Sequence, residues 1–276
     1  MVQRAACGLP GAMLVFSSMS PALFSLRGKV VALTGATRGI GRAMAETMAQ
    51  AGARTIISSE DARASESVAQ ELHAWGLEAV GIGCDVTSRA SIEAFVKRSY
   101  EECGRIDVLV CNAGVAPHMG PLATASDHDW ELTVTVNVRS VLWLTSLVVP
   151  RMAAQRDGSV IITSSIAGIR GNKAIGLYGL SKAANAELAR NLAVEWGPCN
   201  VRANAISPGL IRTEFARPML DDAETLQRRI ALTPLRRVGE PHEVAAVALL
   251  LASPAGAFIT GQNLVVDGGT TVGDGN

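Results

Sequence analysis

Only two tyrosines occur in this chain, and one of them, Tyr178, is followed four residues later by Lys182 in the stretch GLYGLSKAAN (176–185). The stretch reads as an amphipathic helix, and residues four apart share a helix face. A free phenol gives up its proton near pH ~10, so at neutrality it is a poor base. A cation at close range lowers that value by about 1–3 units. A phenol tuned in this way can take a proton from an alcohol or give one to a carbonyl oxygen. Such chemistry also needs a redox carrier and a place for substrate.

A carrier site is suggested by TGATRGIG (34–41), which joins an apolar run to a helical one. Gly35, Gly39 and Gly41 supply positive φ and close backbone approach. The helix behind them offers unpaired N–H groups to a phosphate. The spacing is GxxxGxG rather than GxGxxG, but its place between the first strand and first helix is that of a dinucleotide turn. Thr37, Arg38 and Ile40 fill the rest of the turn and count among the expected cofactor contacts. At the end of the second strand, Ser59 and Glu60 should meet the adenosine ribose. An acidic residue there binds a 2′-hydroxyl, whereas an arginine accepts a 2′-phosphate. Glu60 therefore speaks for NAD and Arg38 for NADP; the strand-end position favours NAD. In the alternative reading, Glu60 and Asp61 merely cap the following helix.

The elements that must position these groups alternate along the chain. Strands are expected at 29–34, 53–59, 78–85, 106–112, 159–165, 200–207 and 263–269. Helices are expected at 40–51, 62–75, 88–102, 127–154, 177–196 and 241–252. Helical crossovers of this length imply an α/β fold: a Rossmann-type, doubly wound, seven-stranded parallel sheet with helices on both faces. Ligands of such sheets lie beyond the carboxyl ends of the strands. No linker or repeat interrupts residues 28–270, which read as one dinucleotide-binding catalytic domain. Residues 1–27 read as a disordered leader or non-native start, with Met19 an alternative beginning, and 271–276 as a tail. The irregular stretch 208–240 is the expected flap; Phe215, Met219 and Leu220 give it an apolar underside suited to some hydrophobic bulk in the substrate.

Bulk properties exclude several classes. Twenty-five basic and 25 acidic residues cancel, with no long run of one sign, so neither nucleic acid nor an anionic membrane is an expected partner. No uninterrupted apolar run approaches the roughly 20 residues that span a bilayer. Five cysteines without a CxxC, and four histidines without an HxH or HExxH pair, give no metal site and no disulfide framework. The expected location is cytoplasmic.

Taken in order, TGATRGIG, CDV (84–86), CNAG (111–114), VNV (136–138), SSIAG (164–168), YGLSK (178–182) and SPGLIRT (207–213) resemble the short-chain dehydrogenase/reductases from about Leu26 to Gly269. The resemblance implies an NAD(P)-dependent oxidoreductase acting on a secondary alcohol or ketone. It places Asp85 and Val86 against the adenine, and Asn112, Ala113 and Gly114 along the cofactor cleft. It places Pro208, Gly209, Ile211 and Thr213 at the nicotinamide end. It makes Ser165, Tyr178 and Lys182 the catalytic set, with Tyr178 as general acid/base and Tyr178 and Lys182 also touching the cofactor. Asn137 is the fourth member, bending the long helix and placing a water behind Lys182. Ser165 is preferred to Ser164 because it lies 13 positions before Tyr178 and directly precedes IAG. Cys111 stands where many relatives have Asn, and a small buried cysteine packs acceptably there. A homotetramer is implied. The alternatives are an NADPH-dependent 3-oxoacyl-carrier reductase, for which Arg212 and LRRVGE (235–240) would supply positive charge, and a non-catalytic nicotinamide-binding member. His118 and Met119 fall near the expected substrate position, His118 as an exposed loop residue.

Overall fold

The computed structural model describes residues 22–273; residues 1–21 of the expected leader and 274–276 of the expected tail lie outside the described residues. Seven strands are present: β1 (Val30–Thr34), β2 (Arg54–Ser59), β3 (Ala79–Gly83), β4 (Val108–Cys111), β5 (Gly158–Thr163), β6 (Val201–Pro208) and β7 (Asn263–Val266). They form one parallel sheet in the order β3-β2-β1-β4-β5-β6-β7. The order reverses between β1 and β4, and there the connections leave in opposite directions and open a crevice.

Alternation along each strand builds two cores. Val30 and Ala32 of β1 face the first layer: α3 (Arg89–Cys103), α5 (Ser140–Gln155) and α6 (Gly176–Trp196). Val31 and Leu33 face the second: α1 (Gly39–Gln50), α2 (Ala62–Ala74) and α9 (Pro241–Ala252). Both faces of the sheet are covered, which is why β1, β4 and the centre of β5 are near-continuous apolar runs, while polar strand residues such as Ser58 and Asn204 are buried with hydrogen-bond partners. The folded body starts before the expected boundary at residue 28. Leu26 is buried, and its N–H donates to the Ala51 carbonyl at 2.8 Å.

The expected single helix over 127–154 is three pieces: α4 (Asp127–Val134), a π-turn (Thr135–Arg139), then α5. Ser126 and Asp129 close a capping box at the start of α4. The 29-residue run Asp127–Gln155 is long and apolar enough by composition to cross a membrane, a feature that the interrupted apolar pattern did not lead us to expect. Its apolar side is spent internally: Val141, Leu144, Val148, Val149 and Met152 are buried in the first core. Within the flap lie a 3-10 turn (Glu214–Ala216), α7 (Arg217–Leu220) and α8 (Ala223–Ala231).

Candidate active site

β1 delivers the chain into the glycine turn. Gly35 and Gly39 have φ of +62° and +56°, the left-handed region that disfavours a side chain. The N-cap of α1, Arg38, makes no side-chain cap bond, and no acidic residue occupies the first turn. The first-turn N–H groups and the positive end of the helix are thus left for an anion. Gly41, grouped above with the cofactor contacts, does not line the cleft. A Cβ there would lie 2.1 Å from the Gly35 carbonyl oxygen and 2.4 Å from Asn112 Nδ2, so Gly41 lets α1 pack against the turn.

From this turn a cleft of about 550 Å³ runs across the carboxyl ends of the strands. Gly35, Thr37, Arg38, Gly39, Ile40, Ser59 and Glu60 line one end; Asp85, Val86, Asn112, Ala113 and Gly114 line the middle; Tyr178, Lys182 and Thr213 line the other. Glu60 and Asp61 divide the two readings offered by sequence. Asp61 caps α2, accepting from the N–H groups of Arg63 and Ala64, while exposed Glu60 makes no cap bond and faces the cleft. Asp85 turns back on itself, its Oδ1 accepting from the N–H and hydroxyl of Thr87. Asn112 has a second role: its Nδ2 donates to the Gly35 carbonyl (2.8 Å) and its Oδ1 accepts from Thr163 (3.1 Å), tying the ends of β1, β4 and β5 together. Cys111 is buried, and desolvation pushes its thiol up to about 12.

Ser165, Tyr178 and Lys182 come together because two small residues allow it. A Cβ on Gly179 would meet the Ala167 carbonyl oxygen at 2.5 Å, and one on Gly168 the Ala183 nitrogen at 2.5 Å. The 3-10 turn Ile166–Gly168 can therefore lie directly on α6. Both serines line the cavity beyond, but the Ser164 hydroxyl is committed to the Lys182 carbonyl, whereas Ser165 Oγ accepts from the Ala167 N–H and keeps its own proton to donate. Lys182 is buried, sits 5.5 Å from the Tyr178 ring centroid and donates from Nζ to the Thr163 carbonyl at 2.7 Å. Desolvation pulls its ammonium down to about 8.

The expected acidification of Tyr178 is not what the structure shows. Desolvation pushes the phenol up to about 12, and the countervailing downward pull comes from its hydrogen bond with Ser165. Burying a charge costs more than a neighbouring cation returns when that cation sits over the ring and is itself desolvated. Asn137 is likewise corrected in part. It does interrupt the long helix, but its amide is fully engaged. Oδ1 accepts from the Val115 N–H (2.8 Å), and Nδ2 donates to the Val115 carbonyl (2.8 Å) and Ser181 Oγ (2.9 Å). It is wholly buried and lines neither cavity, so it fixes the Gly114–Val115 backbone rather than offering its side chain to a water.

Beyond Tyr178 a second, smaller cavity of about 100 Å³ continues the cleft. Ser165, Tyr178, Pro208, Gly209, Ile211, Thr213, Phe215 and Met219 line it, together with two residues that the sequence pattern did not mark, Arg170 and Arg229. Tyr178 thus stands in the wall shared by both spaces, and the Phe215 ring leans on it at 5.9 Å between centroids. His118 is buried rather than exposed, bonded through Nε2 to Thr124 Oγ1, and lines neither space. Among the described residues no cluster could hold a metal ion.

A doubly wound sheet, a glycine turn with an uncapped helix behind it, and a Ser-Tyr-Lys group at the far end of the cleft define a nicotinamide-dependent oxidoreductase. The comparisons agree. The family described as Enoyl-(Acyl carrier protein) reductase matches residues 35–271. "Dehydrogenase/reductase SDR family member 4" of Bos taurus is 36% identical over 245 residues, covering 89% of this chain and 88% of that protein. Among solved structures, a 7 alpha-hydroxysteroid dehydrogenase complexed with NADH and 7-oxo glycochenodeoxycholic acid superposes with a TM-score of 0.86 at 35% identity, covering 90% and 96% of the two chains. A gluconate 5-dehydrogenase from Burkholderia cenocepacia J2315, in complex with NADP and tartrate, gives 0.88 at 31% identity, covering 91% and 98%. The chain belongs to the short-chain dehydrogenase/reductase family and is an NAD(P)-dependent oxidoreductase acting on a small molecule.

Proposed function

We propose that this protein interconverts a secondary alcohol and a ketone, with Tyr178 as the proton donor and acceptor. The observation that carries the reading is the place of Tyr178 in the wall between the long cleft and the smaller cavity, with Ser165 lining the same cavity and Lys182 beside its ring. A nicotinamide dinucleotide fits the cleft. The glycine turn and the first turn of α1 would hold its phosphates, Glu60 its adenosine ribose, and Asn112, Gly114 and Thr213 the cleft toward Lys182. When bound, the nicotinamide supplies or accepts the hydride. Ser165 holds the substrate oxygen and balances charge developing on it. Tyr178 gives that oxygen a proton as the carbonyl carbon is reduced, and takes it back in oxidation. With its phenol pushed up to about 12, Tyr178 is protonated at neutral pH and holds the proton that reduction of a carbonyl requires.

NAD is favoured over NADP because Glu60, free of any capping duty, stands at the end of β2 and would repel a 2′-phosphate. The acyl-carrier alternative loses its cue in the ion pairs. Arg212 is bound to Glu240 and Arg237 to Glu243, which among the described residues leaves Arg236 alone of the three arginines without a carboxylate partner. Replacing Tyr178 by Phe keeps the ring against Phe215 and removes only the hydroxyl. We expect kcat to fall by about 10²–10⁴, the range for losing a general acid, with NADH affinity unchanged. A Tyr178→Phe protein that retains near-normal kcat on any carbonyl of a broad panel would overturn the reading.

A further inference from the structure

The cavity beyond Tyr178 contains a feature that proton transfer does not use. Arg170 follows the 3-10 turn that carries Ser165, and Arg229 lies in the last turn of α8, on the flap. The two are far apart in the chain, and both line the same small space as Ser165 and Tyr178. No aspartate or glutamate lines it. Among the described residues neither arginine has a carboxylate partner; the one side-chain bond at Arg170 runs from Nη1 to the Thr270 carbonyl at 3.3 Å. Both are partly withdrawn from water. Of the other flap arginines, Arg212, Arg217 and Arg237 are paired with carboxylates, while Arg228 and Arg236 are exposed to solvent and line no part of this cavity. Partly buried cations are normally neutralised, so two of them converging on one cavity leave an unmet demand for negative charge. The electrostatics run the same way. Arg229 is pulled below its usual value by desolvation first, then by the like charges of Arg170 and Arg228.

We infer that the part of this cavity bounded by Arg170 and Arg229 receives the anionic end of the substrate, a carboxylate or a phosphate, while the carbonyl or carbinol lies at Ser165 and Tyr178 and the part bounded by Pro208, Gly209 and Ile211 is left to the nicotinamide end. The inference rests on the oxidoreductase reading and narrows its substrate to an oxo- or hydroxy-anion. A guanidinium presents paired N–H donors that match either oxyanion. Because Arg229 is carried by the flap and Arg170 by the body, an anion between them also draws the flap onto the substrate. The apolar contribution of Met219 and Phe215 then lies along the carbon skeleton rather than at its end.

The test pairs each anion with a neutral partner of the same skeleton: 5-oxohexanoate with its methyl ester, and hydroxyacetone phosphate with hydroxyacetone. Wild type should prefer at least one anion over its neutral partner in kcat/KM, and which pair shows the preference separates carboxylate from phosphate. Arg229→Gln should raise KM for that anion by about 10- to 100-fold, the range for losing a hydrogen bond to a charged group, and leave the neutral partner unchanged. Arg229→Lys should restore part of the difference, and Arg228→Gln, an exposed neighbour, should behave as wild type. Equal use of both members of each pair, insensitive to Arg229→Gln, would overturn the inference while leaving the oxidoreductase reading standing. A readout independent of turnover is the melting temperature of the NADH-loaded protein with succinate or inorganic phosphate. A rise with either anion that is lost in both Arg170→Gln and Arg229→Gln supports the site, and no rise with either refutes it. Failure of every carbonyl in the panel, with the anion-induced rise intact, would count against the oxidoreductase reading alone.

Discussion

Replacing Asn137 by Ala is a sharp test of how the site is held, because the side chain touches neither cavity yet is wholly buried. The substitution deletes three hydrogen bonds of 2.8, 2.8 and 2.9 Å. It strands the N–H and the carbonyl of Val115, whereas Ser181 keeps its own donation to the Tyr178 carbonyl. Leaving a buried polar group unpaired costs about 1–3 kcal/mol. Val115 borders the cleft, where water can reach in part, so the lower half of that range applies to each group. The expected loss is about 2–4 kcal/mol, which for a domain of this size lowers the melting temperature by about 4–16 °C. Ser181→Ala removes one of the three bonds together with the donation to the Tyr178 carbonyl, and should cost about 1–3 kcal/mol. A double-mutant cycle between the two should show coupling of at least about 0.5 kcal/mol. Urea unfolding of the three variants supplies these numbers, and cofactor affinity should weaken alongside, since Gly114 would lose its fixed place near Lys182. An Asn137→Ala protein as stable as wild type, with normal affinity for NADH, would refute the claim that this amide clamps the cleft wall.

Other outcomes follow from the same geometry. Gly41→Ala drives a Cβ to 2.1 Å from the Gly35 carbonyl, a backbone atom that cannot step aside, so nicotinamide binding should be lost or the domain destabilised by about 1–3 kcal/mol; a titration with NADH alongside a melting curve checks both. Paired titration with NADH and NADPH should favour NADH, and Glu60→Gln should narrow the gap; tighter binding of NADPH by wild type would reverse the cofactor assignment. Lys182 is lowered to about 8 in the folded state, so above that pH the unfolded chain holds a proton that the native one has released. Its burial penalty is complete below pH 8 and is relieved as pH rises. Between about pH 8 and 10 wild-type stability should therefore climb relative to Lys182→Met, a comparison in which the cysteines, common to both proteins, cancel. Cys84 and Cys111, both buried and pushed up to about 12, should resist iodoacetamide at pH 8 in the folded protein and react once it is unfolded.

Most of the architecture could be read from the chain alone, because parallel strands covered on both sides are near-continuous apolar runs and the helices between them must show their own period. The helix expected over 241–252 and the strand expected from 263 onward begin where the structure begins them. The glycine turn and the order of the motifs were equally plain, since close backbone approach leaves small residues at set spacings. Tertiary structure alone decided the matters that depend on what surrounds a group. The motif around Asn137 marked a bend in the long helix, but not its form, a π-turn, nor the Val115 and Ser181 partners that hold the Asn137 amide across the cleft wall. One helical turn places Lys182 beside Tyr178, but whether the phenol becomes more or less acidic is set by desolvation, a property of the packed site. Arg170 and Arg229 look like ordinary surface charges in a neutral chain. Only folding brings them to one cavity without a carboxylate, because charge pairing is a relation in space and leaves no mark on spacing along the backbone.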